Sequence, residues 1–268
     1  MQYETLNLAF SGQGTSQVAT VTLNRPDVRN AFNETMIAEL TAAFTALDTN
    51  DDVRAVVLAA NGKAFCAGAD LNWMKKMAGF SDAENRADAL RLAAMLSAIY
   101  RCRKPVIARV NGDVYAGGMG LISACDIVVA VDTARFCLSE ARLGLIPATI
   151  APYVIRALGE QASRRYFATA EQFDSATALR LGLVSEAVSE AQLDTTVQQL
   201  AATLCANGPS AVRECKALVQ DIAGRTLDTA LIEDTAERIA RVRAGTEGRE
   251  GVASFLEKRA PAWRGDSA

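Results

Sequence analysis

Two glycine-rich stretches carry most of the chemistry open to this sequence. The stretch VNGDVYAGGMGLISACD, Val110 to Asp126, opens like the end of a strand, passes through Gly117, Gly118 and Gly120, and continues as an apolar helix. The first N–H groups of such a helix lack backbone acceptors and are available to something negative. A dinucleotide would need GxGxxG directly after an early strand, and a P-loop would need GxxxxGK[ST]; neither spacing is present here. The plain alternative is that these glycines simply permit tight packing of helix on strand. A second stretch, AFCAGADL (residues 64–71), also follows an apolar strand and leads into a helix. Two such turns in one α/β core can aim two N–H groups at one point. That is an oxyanion hole, which contributes about 2.7–4 kcal/mol per donor to a developing enolate or tetrahedral oxygen.

The chain contains no histidine. Ser-His-Asp and Cys-His nucleophiles, HExxH zinc sites and imidazole acid–base catalysis are thereby removed together. Proton transfer falls to Asp, Glu, Lys, Tyr or Cys. Enolate chemistry with one carboxylate near the hole fits this residue set better than acyl transfer to Ser or Cys.

The elements that must position these turns are strand–loop–helix units. SQVATVTLN alternates as a strand does, and RPDVRNAFN is turn chemistry with Asn30 or Asn33 able to cap the next helix. Met36, Ile37, Leu40, Ala43, Phe44 and Leu47 recur at helical spacing. VRAVVLAA (53–60), KPVIARVNG, DIVVAV and ARFCLSE read as strands, the first covered on both faces. A helix is expected from about Ser81 to Arg101, and the repetition argues for α/β with parallel pairing. From Glu160 to Lys258 nearly every pattern is helical, and SATALRLGLVSEAV is expected to end a helix at Gly182 before a short strand. Exposed apolar faces on the later helices suggest packing between subunits.

At 268 residues the chain suits one large domain or one domain with an appendage, and 50% hydrophobic with 22% charged residues is ordinary globular composition. A net charge of -3 with no basic stripe argues against nucleic acid as the main partner. The N-terminal residues lack the pattern of a secretory signal, and no apolar run reaches the roughly 18–20 residues of a membrane span. The six cysteines (66, 102, 125, 137, 205, 215) show no CxxC spacing and are expected to be buried, reduced thiols in a cytoplasmic protein.

NRPDVRNAF, AFCAGADL, NGDVYAGGMGLISACDI, SEARLGLIP and FLEKR occur in the order and spacing of the crotonase (enoyl-CoA hydratase/isomerase) superfamily, which the chain resembles from about residue 3 to 264. Within it, the texture of GLISACD and of SEARLGLIPATIAPYVIRALG is most similar to bacterial 3-methylglutaconyl-CoA hydratases of leucine breakdown. The resemblance implies an α/β fold with a spiral of ββα turns over residues 1–195. A helical trimerisation region would cover 196–268, with assembly as a homotrimer or a dimer of trimers. It implies an acyl-CoA thioester as substrate, coenzyme A arriving as part of it, with no other cofactor and no metal. The hole donors map to the N–H groups of Ala69 and Gly117.

The resemblance also implies a pair of glutamates, and here the sequence departs from it. The first position, three residues beyond Gly117, is Gly120; the second matches Glu140. Phe136, Leu138 and the LGLIP run should surround Glu140 with apolar groups, raising its pKa toward neutrality; an ion pair with Arg142 is the plain alternative. A lone glutamate at this position also resembles the family's Δ3,Δ2-enoyl-CoA isomerases. On this reading Gly120 leaves room for a branched, carboxylate-bearing chain. Ala67, Gly68, Ala69 and Leu71 match the loop that holds CoA, Gly118 belongs to the second turn, and Lys258 and Arg259 fall where the family's last helix reaches CoA phosphates. Asp70 is either a substrate contact or the cap of the helix after it, Trp73 and Met77 line an acyl pocket or the core, and Cys66 is inert. The expected reaction is addition of water across the 2,3-double bond of 3-methylglutaconyl-CoA. The alternatives are the isomerase, an isohexenylglutaconyl-CoA hydratase, and a relative that binds RNA or has lost catalysis.

Overall fold

The computed structural model describes residues 2–264; the last four positions of the expected 196–268 region lie outside the described residues. The chain opens with the hairpin β1 (Leu6–Ser11) and β2 (Gln17–Leu23), then α1 (Glu34–Thr49). Three turns of one kind follow. The first is β3 (Val53–Ala60), β4 (Ala64–Cys66), α2 (Leu71–Met77) and α3 (Asp82–Arg101). The second is β5 (Val106–Val110), β6 (Asp113–Tyr115) and α4 (Gly117–Ser123). The third is β7 (Ile127–Val131), β8 (Arg135–Cys137), a 3-10 turn over Glu140–Leu143, α5 (Ala151–Leu158) and α6 (Glu160–Thr169). After β9 (Phe173–Asp174), α7 (Ser175–Arg180) and β10 (Glu186–Val188) come α8 (Glu190–Ala206), α9 (Pro209–Ile222), α10 (Thr229–Ala244) and α11 (Thr246–Leu256).

In each turn the first strand joins a six-stranded sheet of order β1-β2-β3-β5-β7-β10, and the second joins a four-stranded sheet of order β4-β6-β8-β9. Pairing is parallel except at β1–β2 and β8–β9. This is the expected spiral of ββα turns. Its geometry matters for the site, because the ends of β4, β6 and β8 lie side by side, and each ends in one of the chemically marked stretches.

Local chemistry sets the element boundaries. Asn33 caps α1, accepting the Met36 N–H at 2.9 Å. Ser81 and Glu84 form a capping box at the start of α3. β3 is buried at every position, as its unbroken apolar run predicts. The expected break between residues 195 and 196 falls inside α8. The reason is packing: Leu193, Val197 and Ala201 of that helix are buried, and α8 lies against β3, β5 and β7. The core therefore extends to the end of α8. The helix expected to end at Gly182 already ends at Arg180, with Gly182 in the turn beyond it at φ 85°.

No helix among the described residues is long and apolar enough to cross a membrane. All six cysteines are free; Cys66, Cys102 and Cys137 are buried, Cys125 and Cys205 partly so, and Cys215 is exposed, contrary to expectation. Burial pushes the Cys66 thiol up to about 12, consistent with an inert side chain.

Candidate active site

The first turn is held by a brace built from NRPDVRNAF. Asn30, at φ 54° and fully buried, donates to the carbonyls of Asn61 (2.8 Å) and Ala64 (3.0 Å) and accepts from the Arg25 N–H (2.9 Å). Arg25 reaches Ala31 O at 2.6 Å and pairs with Asp70 at 2.9 Å. Phe32 then bridges to the turn: its N–H donates to Gly68 O and its carbonyl accepts from the Asp70 N–H, each at 2.7 Å. Those bonds use the groups on either side of Ala69. The Ala69 N–H itself has no acceptor among the described residues.

The second donor sits one loop away. Gly117 is the first residue of α4, so its N–H has no intrahelical partner. The preceding Ala116 adopts φ 46°, ψ −118°, a conformation that costs a side-chain-bearing residue about 1–3 kcal/mol. Its N–H is anchored to Cys137 O at 2.8 Å, which ties the turn to β8. The two loops touch. A Cβ on Gly68, where φ is +92°, would lie 2.9 Å from the Ala116 Cβ, and a Cβ on Gly117 would lie 2.5 Å from Phe32 Cε2. Phe32 thus packs against one donor's turn and pairs with the other's, although nothing but its place inside a quoted motif marks it in the sequence.

Glu140 comes from the third turn, at the start of the 3-10 segment after β8. Its Oε2 is buried without a hydrogen-bond partner, and burial raises its pKa from the ordinary 4.5. Arg142 does not pair with it; that guanidinium donates to Ala170 O at 2.5 Å instead. A cavity of about 410 Å³ brings Ala67, Ala69, Leu71, Gly117 and Glu140 together with the apolar side chains of Trp73, Met77, Leu92 and Ile150. Two hole donors and one carboxylate of raised pKa therefore face one apolar space. The geometry suits stabilising an enolate while moving one proton.

Several expected site residues lie elsewhere. Gly68 and Gly118 stand behind the wall, Gly118 against Cys66, where a Cβ would meet Cys66 Cβ at 2.9 Å. Asp70 is a cap and ion-pair residue, accepting the N–H groups of Asn72 (2.8 Å) and Trp73 (3.4 Å) as well as Arg25, and it faces a separate small cavity. Gly120 does not open the acyl space. A Cβ there would lie 2.3 Å from Ile150 Cγ2, because Ile150 fills the volume that a longer side chain would need and itself forms the wall. Lys258 follows α11 and lines no part of the cavity of its own chain. Conversely, Asn85 and Asp88 of α3 line the cavity and were not anticipated.

The chain matches the family described as enoyl-CoA hydratase/isomerase over residues 13–266. It belongs to that family. The solved structure of an enoyl-CoA hydratase from Shewanella pealeana is 41% identical, with a TM-score of 0.93 over 98% of this chain and 97% of that one. An enoyl-CoA hydratase from Mycobacterium smegmatis is 36% identical, with a TM-score of 0.89 over 96% and 98%. A mevalonyl-coenzyme A hydratase of Aspergillus fumigatus is 32% identical over 93% of this chain and 92% of its own length. The chain is thus an enzyme of the crotonase superfamily with enoyl-CoA hydratase/isomerase chemistry, and an acyl-CoA thioester fits as its substrate.

Proposed function

We propose that the protein adds water across the 2,3-double bond of a branched enoyl-CoA, with Glu140 as its single acid–base group. The observation that carries this is the Glu140 carboxyl, whose Oε2 is buried and unpartnered, in the same cavity as the unengaged Ala69 and Gly117 N–H groups. The thioester oxygen accepts from both N–H groups. As water attacks C3, Glu140 takes its proton, the negative charge moves to the thioester oxygen, and the proton returns to C2. The balance needs no redox step and no metal, and coenzyme A enters only as part of the substrate. The free thiols fit a reducing cytoplasm, and assembly as a trimer or paired trimers accords with the exposed apolar helices.

A second reading rests on Gly120, whose side of the cavity is closed by Ile150 and offers no second carboxylate. Glu140 alone can carry a proton from C2 to C4 of a 3-enoyl-CoA. The deciding experiment assays the purified protein on 3-methylglutaconyl-CoA, the chain suggested by the resemblance, on 3-methylcrotonyl-CoA, and on a 3-enoyl-CoA, with Glu140→Gln as control. Hydration of a branched 2-enoyl thioester, lost in the variant, is expected. Double-bond migration without hydration of either branched thioester would replace this reading by the isomerase.

A further inference from the structure

Asp88 is 5% exposed, yet it lines the cavity beside Asn85, Ala89 and Leu92. Those four positions fall on one face of α3. Asp88 does not replace the carboxylate missing at Gly120. The α3 residue in contact with Gly120's position is Leu96, eight residues along the helix, or about 12 Å away. Asp88 therefore belongs to a part of the cavity remote from Gly120, on the α3 face it shares with Asn85, Ala89 and Leu92.

Two observations define what that end can accept. Asp88 Oδ1 accepts from Arg91 at 2.8 Å, while Oδ2 has no partner among the described residues. Arg91 does not line the cavity and its side chain is 56% exposed, so the carboxylate stands between the guanidinium and the acyl space. The second is that no lysine or arginine is among the described residues that line the cavity. A plain hydrocarbon end would leave Asp88 Oδ2 unmet, which is costly in an apolar space. A carboxylate end would meet the Asp88 carboxylate in a cavity whose described lining holds no lysine or arginine to bind it, the Arg91 guanidinium being engaged on the other oxygen. A hydroxyl can donate to Asp88 Oδ2.

We infer that Asp88 is a specificity-determining residue that selects a branched 2-enoyl chain whose far end is a hydroxyl and disfavours one ending in a carboxylate. This rests on the hydratase reading and carries it further, away from the 3-methylglutaconyl chain.

The test uses three CoA thioesters that share one branched 2-enoyl chain and end in a hydroxyl, a carboxylate or a methyl group. In the wild type, kcat/KM for the hydroxyl end should exceed that for the methyl end by on the order of tenfold, the worth of a hydrogen bond to a charged group. The carboxylate end should fall below both. Asp88→Leu should abolish the hydroxyl advantage and raise the carboxylate end relative to methyl. Asp88→Asn, of nearly the same shape, should relieve the carboxylate while keeping part of the hydroxyl advantage. A wild type that favours the carboxylate end, or hydrates all three alike, overturns the inference and leaves the hydratase reading standing. No hydration of any of the three overturns both.

Discussion

Burial raises the Glu140 pKa, and the nearest arginine in sequence does not lower it again, because Arg142 is engaged with the Ala170 carbonyl. A carboxyl that binds its proton more tightly when folded contributes stability fully present below its unfolded pKa. That contribution is lost as pH rises through the raised folded value. Above the folded pKa the ionised carboxylate is thus held against its desolvation. Glu140→Gln should therefore lower kcat/KM by about 10²–10⁴-fold. It should also raise Tm relative to wild type, with the difference growing as pH increases through the folded pKa. In the wild type, kcat/KM should rise with pH along an acid limb whose midpoint lies above the ordinary 4.5. Thermal melts of both proteins across that window, with rate profiles alongside, check both signs. A Tm gap that shrinks with rising pH would mean that the charged form is stabilised by a partner.

The hole exists because two loops from successive ββα turns touch, and Gly68 is where they meet. Its φ of +92° disfavours any side chain, and a Cβ there would press on Ala116 at 2.9 Å. Gly68→Ala should move the Ala69 and Gly117 donors apart. A displacement approaching 1 Å is worth about 10² in rate, so kcat should fall by one to two orders of magnitude while KM changes little; steady-state kinetics of the folded variant decide this. A KM effect alone would show that the loop only binds. Much of this arrangement was legible in the sequence. The apolar run of β3, the cap candidate Asn33 and the helix start expected near Ser81 marked their elements, and both glycine turns announced themselves by composition. What the sequence did not show depends on contacts between distant segments. Phe32 looks like one more apolar residue until its backbone bridges to Ala69. Gly120 reads as vacant space until Ile150, thirty positions on, fills it. Asp88 reads as a polar residue on a helix, since periodicity cannot say that its face turns toward the acyl cavity.

The helical region after α8 is tied to the core by polar contacts more than by a buried apolar face. Lys216 of α9 bonds Asp126, just beyond α4, at 2.7 Å, and the Trp263 and Arg264 side chains reach Ala206 O at 3.2 and 3.1 Å. Meanwhile Phe255 is 81% and Leu227 80% exposed, with Val219, Ile232, Val252 and Leu256 also open to solvent on α9–α11 or the link between them. Covering a large apolar side chain is worth about 1.5–3 kcal/mol, so leaving this set in water is unfavourable, and a second copy of the same surface is an occupant always present. The expected outcome is that the protein sediments as a multiple of its 28.5 kDa chain mass. Phe255→Asp, which places a charge at the most exposed of these positions, should shift it toward the monomer. Because α9 is linked through Lys216 and Asp126 to the segment following the Gly117 helix, the dissociated form should also melt at lower temperature and turn over more slowly. Sedimentation velocity at several concentrations, with activity measured on the same samples, separates the possibilities. A wild type that stays monomeric at every concentration would show that these side chains remain in water, and that the hole helix needs no neighbour to hold it.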